Sequence, residues 1–270
     1  MSETRSGTGF VEVDGLRLRV SVRGHGRPLL LFNGIGASLE IFDPLRRELG
    51  RSETIAIDMP GTGGSQPTLL PRSLRGLARL ACSALDVLGY RGAVDVLGLS
   101  WGGALAQELA LSFPQRVRRL VLAATSTGWL GMPGDPRALW VLATPFRYYS
   151  PTYFEVIAPT LYGGAVREDP GLLRRQGHLR FIHPPSVRGY FWQLAAGLGW
   201  TSLHRLHRVR SPTLVMAADD DPIIPLAGSR LMAWRLPRAR LSIVPGGGHL
   251  FLVTHAPELA PTIEKFLAED

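Results

Sequence analysis

The chain is nearly free of cysteine and contains no long apolar run. Cys82 is the only cysteine among 270 residues, which excludes an intramolecular disulfide and favours a reducing compartment. It lies in an apolar-rich stretch, where a buried core residue is expected. No stretch of about 18 residues is both apolar and uncharged, as a membrane-spanning helix requires. The segment Met1–Phe10 is polar and lacks a signal-peptide pattern. These absences predict a cytoplasmic protein without a membrane span.

Lysine is equally scarce, because Lys265 is the only one. The formal net charge of +8 therefore comes from arginines, which are scattered and form no long run. Positive charge can attract anionic surfaces or polymers, but no nucleic-acid-binding motif accompanies these arginines. We interpret the charge as a compositional habit and expect no nucleic-acid partner. A content of 45% hydrophobic and 19% charged residues indicates a folded globular chain.

Short apolar segments alternate with helical patterns in two parts of the chain. Asp14-Gly15 predicts a β-hairpin between Phe10–Val13 and Leu16–Arg23. The other predicted strands are Leu29–Phe32, Thr54–Ile57, Val94–Leu97, Leu120–Ala123, Thr213–Met216 and Leu241–Val244. The predicted helices are Leu39–Leu49, Leu74–Leu88, Ala104–Leu111 and Pro257–Leu267. This alternation predicts an α/β protein with a mostly parallel central sheet and helices on both faces.

The alternation stops between Thr127 and Arg205. This segment shows no clear strand and holds 13 of the 22 Phe, Trp and Tyr residues of the chain. We predict that residues 127–205 form a helical cap above the carboxyl edge of the sheet, and that residues 1–126 and 206–270 form the α/β core. Aromatic side chains of a cap can form an apolar acyl pocket, or they can simply hold a small helical layer together. The sequence leaves both readings open.

Ser100 stands at the centre of the pentapeptide Gly98-Leu99-Ser100-Trp101-Gly102. A predicted strand precedes this pentapeptide and a predicted helix follows it. In that context the pattern Gly-x-Ser-x-Gly is typical of a nucleophile elbow, a sharp turn that projects the serine Oγ away from the backbone. The pattern alone is common, but the strand and helix around it favour a serine nucleophile for acyl transfer.

A serine nucleophile needs a general base, and His249 is the candidate among seven histidines. It follows the last predicted strand and the run Gly246-Gly247-Gly248, so its loop can reach the carboxyl edge of the sheet. His204 and His207 are three residues apart, but no third metal ligand stands near them in the sequence. We therefore expect no metal site there.

The base needs a carboxylate that orients it and stabilises its charged form. Asp219, Asp220 and Asp221 follow the predicted strand Thr213–Met216, and the order Ser, Asp, His along the chain is the order of a nucleophile-elbow hydrolase. The residues after the strand Leu120–Ala123 include no carboxylate. The acid is thus one of the three aspartates, and the local pattern does not rank them.

The negatively charged oxygen of a tetrahedral intermediate requires backbone N–H donors. One donor is expected from Trp101, the residue after the nucleophile, and the other from the loop Asn33-Gly34-Ile35-Gly36. The glycines of this loop let its backbone approach a substrate closely. We predict that the second donor is the N–H of Ile35, with the N–H of Gly34 as the alternative.

Five segments of the sequence resemble a known family. They are Leu31–Ala37, Ser100–Gln107, Gly197–Ser202, Asp219–Pro225 and Gly248–Leu252. In these segments the chain resembles α/β-hydrolase-fold enzymes and, among them, the intracellular poly(3-hydroxyalkanoate) depolymerases that act on medium-chain-length polyesters. The elbow and the triad specify only the α/β-hydrolase fold. The loop at 33–36, the run Ser-Trp-Gly-Gly and the cap segment point to the depolymerases.

The resemblance implies Ser100 as nucleophile and His249 as base. It favours Asp221 as the acid, because related hydrolases place the acid four residues before the proline matched by Pro225. It also implies a water-insoluble polyester of 3-hydroxy fatty acids, held in cytoplasmic granules. One departure is the run Gly246-Gly247-Gly248, where the family pattern has an acidic residue beside a glycine. We expect this run to loosen the histidine loop.

Together the residues and the resemblance predict a serine hydrolase of poly(3-hydroxyalkanoate) that uses no cofactor and no metal. A carboxylesterase or lactonase acting on small soluble esters would use the same residues and is the first alternative. A non-catalytic granule-binding protein is the second, and an intact triad argues against it. The expected partner is a polyester granule or a small ester, and the sequence leaves the oligomeric state open.

Overall fold

A computed structural model describes residues 7–269, except for the side chains of Pro170 and Gln176. Within this range eight strands form one sheet. They are β1 (Gly7–Val13), β2 (Leu16–Arg23), β3 (Arg27–Phe32), β4 (Ser52–Ile57), β5 (Val94–Leu99), β6 (Val117–Ala123), β7 (Thr213–Ala218) and β8 (Ala239–Val244). Most of Met1–Phe10, the polar segment that lacks a signal-peptide pattern, lies outside the described residues.

The sheet has the spatial order β1-β2-β4-β3-β5-β6-β7-β8. All neighbouring pairs from β4 to β8 are parallel, whereas β1 and β2 pair antiparallel with each other and β2 pairs antiparallel with β4. The predicted hairpin is confirmed, since Asp14 and Gly15 both have the positive φ angles of a tight turn, 50° and 72°. The mostly parallel sheet of an α/β protein is confirmed as well.

Helices cover both faces of the sheet. They are α1 (Asp43–Glu48), α2 (Leu74–Val87), α3 (Trp101–Ser112), α4 (Pro136–Leu142), α5 (Pro151–Tyr162), α6 (Ala165–Glu168), α7 (Pro170–Ile182), α8 (Val187–Gly197), α9 (Leu226–Arg235), α10 (Phe251–Thr254) and α11 (Ala256–Ala268). Short 3-10 turns occupy Leu39–Phe42, Pro114–Arg116, Phe146–Tyr148 and Leu206–Arg208. In the central strand β3, Leu29 and Leu31 face one apolar cluster while Leu30 and Phe32 face the other. A strand buried on both faces is typical of a parallel sheet between helical layers.

The single helix predicted over Leu39–Leu49 is wrong. A 3-10 turn at Leu39–Phe42 is followed by the separate helix α1, which begins at Asp43. Pro44 explains the break, because proline has no N–H to donate to the carbonyl of residue 40 and its ring favours the start of a helix over its interior.

Helices α4 to α8 lie within residues 127–205 and follow the end of β6. Where this segment leaves and rejoins the sheet, Gly128 and Thr201 form an isolated antiparallel bridge, and the Trp129 N–H donates to the Trp200 carbonyl. Phe154 and Tyr162 of α5 are buried in an apolar cluster of this segment, which also includes Leu250. The helices thus pack together and also contact the loop after β8.

Two predictions concern the single cysteine and membrane-spanning helices. Cys82 is buried in the core as expected, and burial raises the pKa of its thiol to about 11, so it is protonated at neutral pH. Among residues 7–269, no helix has both the length and the apolar content that crossing a bilayer requires.

Candidate active site

Ser100 occupies a strained turn between β5 and α3. Its φ and ψ angles are 55° and −118°, a conformation that non-glycine residues rarely adopt. The flanking positions have no room for a side chain and therefore require glycine. A Cβ on Gly98 would lie 2.4 Å from the Gly102 carbonyl oxygen, and a Cβ on Gly102 would lie 2.2 Å from the Phe32 carbonyl oxygen. The strand–turn–helix context predicted from the sequence is therefore present, with the serine at its apex.

His249 connects Ser100 to a carboxylate. Its Nε2 lies 3.0 Å from the Ser100 Oγ, and its Nδ1 lies 2.8 Å from the Asp221 Oδ2. The side chains of His249 and Asp221 are almost fully buried. With the proton of the imidazole on Nδ1, the ring donates to Asp221, and its Nε2 can accept the Oγ proton of Ser100.

The three consecutive aspartates have separate contacts. Asp221 also accepts backbone N–H bonds from Ile223 and Ile224, at 2.8 Å and 3.0 Å, which fix its carboxylate toward His249. Asp219 accepts from the Gly246 N–H at 2.7 Å instead. Asp220 accepts from the Gly164 N–H and pairs with Arg167. The structure thus brings Asp221 to the histidine and directs its two neighbours elsewhere.

The loop before His249 is anchored, contrary to the looseness expected from its glycines. The His249 N–H donates to the Tyr162 carbonyl at 2.6 Å, and the Asp220 N–H donates to the Gly247 carbonyl at 3.1 Å. A Cβ on Gly248 would lie 2.2 Å from the Tyr162 carbonyl oxygen. The glycine run therefore allows the backbone of the histidine loop to pack directly against the end of α5.

The loop after β3 lies beside Ser100 and presents one of the two predicted donors. A Cβ on Gly34 would lie 3.6 Å from the Ser100 Cβ, so the two segments are in contact. The Gly34 N–H already donates to the Asn33 Oδ1, and the Gly36 N–H donates to the Gln193 Oε1. Within the described residues, the N–H groups of Ile35 and Trp101 have no acceptor. This pattern favours Ile35 over the alternative Gly34.

The helical segment at residues 127–205, for which we keep the name cap, contributes side chains that the sequence did not single out. The Tyr148 hydroxyl donates to the Ile35 carbonyl at 2.6 Å, and an Nη of Arg147 approaches the same oxygen at 3.4 Å. Burial alone would lower the pKa of Arg147, but the phenol oxygens around it outweigh burial and raise this pKa, so the guanidinium is charged. Arg180 lies nearby and, like Arg147, is buried. The sequence contains many scattered arginines, and nothing in its pattern distinguishes these two from the rest.

A narrow pocket with a volume of about 30 Å³ lies between the core and the cap, which is room for roughly two water molecules. Ser100, His249, Arg147 and Arg180 line it together with apolar side chains. The aliphatic residues among them are Ile35, Ala37, Ile41, Leu99, Leu142, Ile223 and Leu250. In the part of the chain that the structure describes, no cluster of three His, Cys, Asp or Glu side chains could hold a metal ion.

Comparisons with known proteins agree with this architecture. Residues 29–262 match the model of the alpha/beta hydrolase family. A poly(3-hydroxyalkanoate) depolymerase of Ectopseudomonas oleovorans is 50% identical over 264 residues, which are 96% of this chain and 92% of that protein. A 2-hydroxymuconate semialdehyde hydrolase of Pseudomonas putida is 31% identical, over 94% of this chain and 92% of that protein.

Among solved structures, a hydrolase from Pseudomonas aeruginosa PA01 has a TM-score of 0.83 at 28% identity, covering 98% of this chain and 100% of that one. The shared sheet, the match to the family over most of the length and the identity to curated hydrolases lead to one conclusion. The chain belongs to the α/β-hydrolase family.

Proposed function

We propose that the protein is a serine hydrolase that cleaves the ester bonds of poly(3-hydroxyalkanoate) of medium chain length through an acyl-enzyme. The observation that carries the chemistry is the continuous contact from Ser100 through His249 to Asp221, at 3.0 Å and 2.8 Å. The substrate class is supported by the 50% identity to the depolymerase of Ectopseudomonas oleovorans over nearly the whole chain.

In this mechanism the Ser100 Oγ attacks the ester carbonyl while the His249 Nε2 takes its proton. Asp221 orients the imidazole and stabilises its charged form. The N–H groups of Trp101 and Ile35 bind the oxygen that becomes negatively charged. His249 then gives its proton to the oxygen of the departing alcohol as the ester bond breaks, and a water molecule, activated by the same histidine, hydrolyses the acyl-enzyme.

A water-insoluble substrate also requires a surface that binds it, and the cap exposes large apolar side chains. Trp129 is 70% exposed, Trp140 81%, Phe146 63% and Val156 73%. Contiguous exposed apolar surface is more common at interaction sites than elsewhere on a protein. We propose that these four side chains form one surface, the apolar cap surface, which contacts the polyester and places the protein on granules in the cytoplasm.

The first test compares the protein with its Ser100→Ala variant on emulsions of medium-chain and short-chain polyhydroxyalkanoate. Released hydroxy acids are measured. We expect release from the medium-chain polymer and a loss of about 10⁴-fold or more in the variant, because no other group supplies the nucleophile. The variant should keep its circular dichroism spectrum. Activity near the wild-type level in Ser100→Ala would contradict the mechanism.

The second test addresses the apolar cap surface with a Trp140→Ser/Phe146→Ser double variant. We expect the ratio of activity on the emulsion to activity on a soluble p-nitrophenyl ester to fall several-fold, because apolar area available to the polymer is lost. Trp234→Ser is the matched control, since Trp234 is 76% exposed but lies on α9, outside the cap. An equal fall in Trp234→Ser would show that exposed tryptophans act without regard to position.

A second candidate is a hydrolase of small soluble esters. The 31% identity to the 2-hydroxymuconate semialdehyde hydrolase of Pseudomonas putida supports it, because that name describes an enzyme that acts on a small soluble compound. Turnover of p-nitrophenyl esters without release from either emulsion would support this candidate. Co-sedimentation with granules without hydrolysis of any ester would instead support a non-catalytic granule-binding protein.

A further inference from the structure

Two arginines of the cap are buried beside the candidate nucleophile. Arg147 follows α4 and is 2% exposed, while Arg180 belongs to α7 and is 4% exposed. Both line the pocket that also contains Ser100 and His249. Burying a charged group is costly unless an opposite charge or hydrogen bonds compensate for the lost water. The partners of the two guanidinium groups therefore reveal what the pocket is built for.

Arg147 has only neutral partners among the described residues. Its Nη1 donates to the Tyr190 hydroxyl at 2.6 Å and to the Thr144 carbonyl at 3.1 Å, and its Nη2 approaches the Ile35 carbonyl at 3.4 Å. Its Nε is buried without a hydrogen bond. These contacts hold the guanidinium in place, but none of them brings a negative charge to it.

Arg180 is even less satisfied. Within the described residues its one hydrogen bond is a long contact of 3.4 Å to the Tyr148 hydroxyl, and its Nε is buried without a partner. Its guanidinium carbon lies 4.7 Å from the ring centroid of Tyr162 and 5.5 Å from that of Phe154. Aromatic rings stabilise a cation through the negative charge of their faces, and they leave its N–H donors available to another acceptor.

The pocket has no carboxylate that faces these cations. None of the described residues that line it is acidic, and neither arginine forms an ion pair with a described residue. Asp221 contacts the Nδ1 of His249, whereas the Nε2 of that ring faces Ser100. A structural role would explain Arg147, which contacts the loop of Ile35, but it does not explain Arg180. Two buried cations without counter-charge are typical of a site that binds an anion.

We propose that Arg147 and Arg180 bind the free carboxylate of the substrate, so that the preferred ester is one whose departing unit is a 3-hydroxy acid with a free carboxyl group. The proposal rests on the proposed function and specifies its substrate class. Such a unit is the carboxyl end of a polyester chain or of a short oligomer. Each turnover adds one water to the terminal ester bond and releases one hydroxy acid, which leaves a new carboxyl end on the shortened chain.

The position of Arg147 suits this reading. The N–H and the carbonyl of one residue lie within about 4 Å of each other, and Arg147 lies 3.4 Å from the Ile35 carbonyl. The guanidinium is therefore within about 7 Å of the candidate Ile35 donor. In a 3-hydroxy acid two carbon atoms separate the ester oxygen from the carboxylate, a spacing that matches this short span.

The test uses two soluble substrates, the dimer of a medium-chain 3-hydroxy acid with a free carboxyl group and the methyl ester of the same dimer. We expect kcat/KM for cleavage of the bond between the two units to be at least about tenfold higher for the free acid, because charged hydrogen bonds to a carboxylate are strong. In Arg180→Met the ratio of the two values should fall toward one. In Arg180→Lys part of the ratio should return.

Arg174→Met is the matched control, because Arg174 is an exposed residue of the same helix and its loss changes the net charge equally. It should keep the wild-type ratio. Equal kcat/KM values for the two dimers in the wild-type protein, with both activities lost in Ser100→Ala, would overturn the carboxylate site and leave the proposed function intact. No hydrolysis of either dimer, with serine-dependent release from the medium-chain emulsion intact, would also overturn the carboxylate site and leave the proposed function in place.

A second measurement uses only the wild-type protein and so does not depend on whether the Arg180 variants fold. The free 3-hydroxy acid and its methyl ester are compared as inhibitors of p-nitrophenyl ester hydrolysis by the wild-type protein. We expect the acid to inhibit at a concentration at least about tenfold lower, since it places a carboxylate between the arginines. Equal inhibition by the two compounds would overturn the proposal.

Discussion

The core side and the cap side of the pocket are built in different ways. On the core side each candidate catalytic group follows the carboxyl end of a strand: Ser100 follows β5, Asp221 follows β7 and His249 follows β8. On the cap side, long side chains such as Arg147 and Arg180 reach the pocket from helices and turns. The core fixes its groups through main-chain geometry, whereas the cap holds its groups through hydrogen bonds made by side chains.

The two sides meet at Ile35. The core loop contacts Ser100 at Gly34, the residue before Ile35, while the cap residues Tyr148 and Arg147 hold the Ile35 carbonyl. The Gly36 N–H is bonded to the cap residue Gln193 as well. The candidate oxyanion donor thus lies on a loop of the core, and side chains of the cap help to hold that loop in position. Three variants test the core side, the contact between the two sides and the cap side separately.

The largest effect is expected on the core side, from Asp221→Asn. An asparagine keeps the shape of the side chain but favours the wrong imidazole tautomer, so kcat should fall on the order of 10⁴-fold. Asp219→Asn is the matched control, because an asparagine Oδ1 can still accept the bond from the Gly246 N–H that Asp219 accepts. It should remain within about tenfold of the wild type in a p-nitrophenyl ester assay. Equal losses in both variants would contradict the assignment of Asp221.

A smaller effect is expected where the two sides meet, from Gly36→Ala. Gly36 has a φ of 72°, and a Cβ there would lie 2.7 Å from the rings of both Tyr148 and Tyr190. The loop must shift, and loss of one oxyanion donor costs about 10²–10³-fold in kcat. Gly50→Ala is the control, since a Cβ on Gly50 meets nothing within 4 Å. Wild-type kcat in Gly36→Ala would mean that the Ile35 donor is not used.

The smallest effect is expected within the cap, from Tyr190→Phe. The Tyr190 hydroxyl accepts from Arg147 and donates to the Leu142 carbonyl at 2.7 Å. Its removal leaves a buried charged donor less satisfied and should lower the free energy of unfolding by about 1–3 kcal/mol in urea titrations. Tyr153→Phe is the comparison, because Tyr153 is only partly buried. Equal stability of both variants would show that the buried arginine does not depend on this hydroxyl.

The core side was largely predictable from the sequence, because its signals are local. The elbow around Ser100 and the position of His249 after the last predicted strand each follow from a few adjacent residues. The choice among three aspartates needed the resemblance, since which carboxylate faces the histidine depends on the packing of loops far apart in the chain. The prediction of one helix over Leu39–Leu49 was wrong because a new helix begins at Asp43, with Pro44 in its first turn.

The cap side was not predictable at the level of residues. Its arginines resemble the scattered arginines elsewhere, and only their burial distinguishes Arg147 and Arg180. The glycine run before His249 was misread for a related reason. Glycines permit a flexible loop as well as close backbone contact, and the contact partner, the end of α5, is remote in sequence. The chain boundaries of the cap remain a prediction.

The hydrogen bond from the His249 N–H to the Tyr162 carbonyl ties the general base to the last residue of α5. A polymer chain cannot enter a pocket of about 30 Å³ unless part of the cap moves. Any motion that lifts α5 from the core would break this bond and displace the imidazole from Ser100. A rearrangement that admits a substrate and keeps the imidazole beside Ser100 would therefore leave the end of α5 in place.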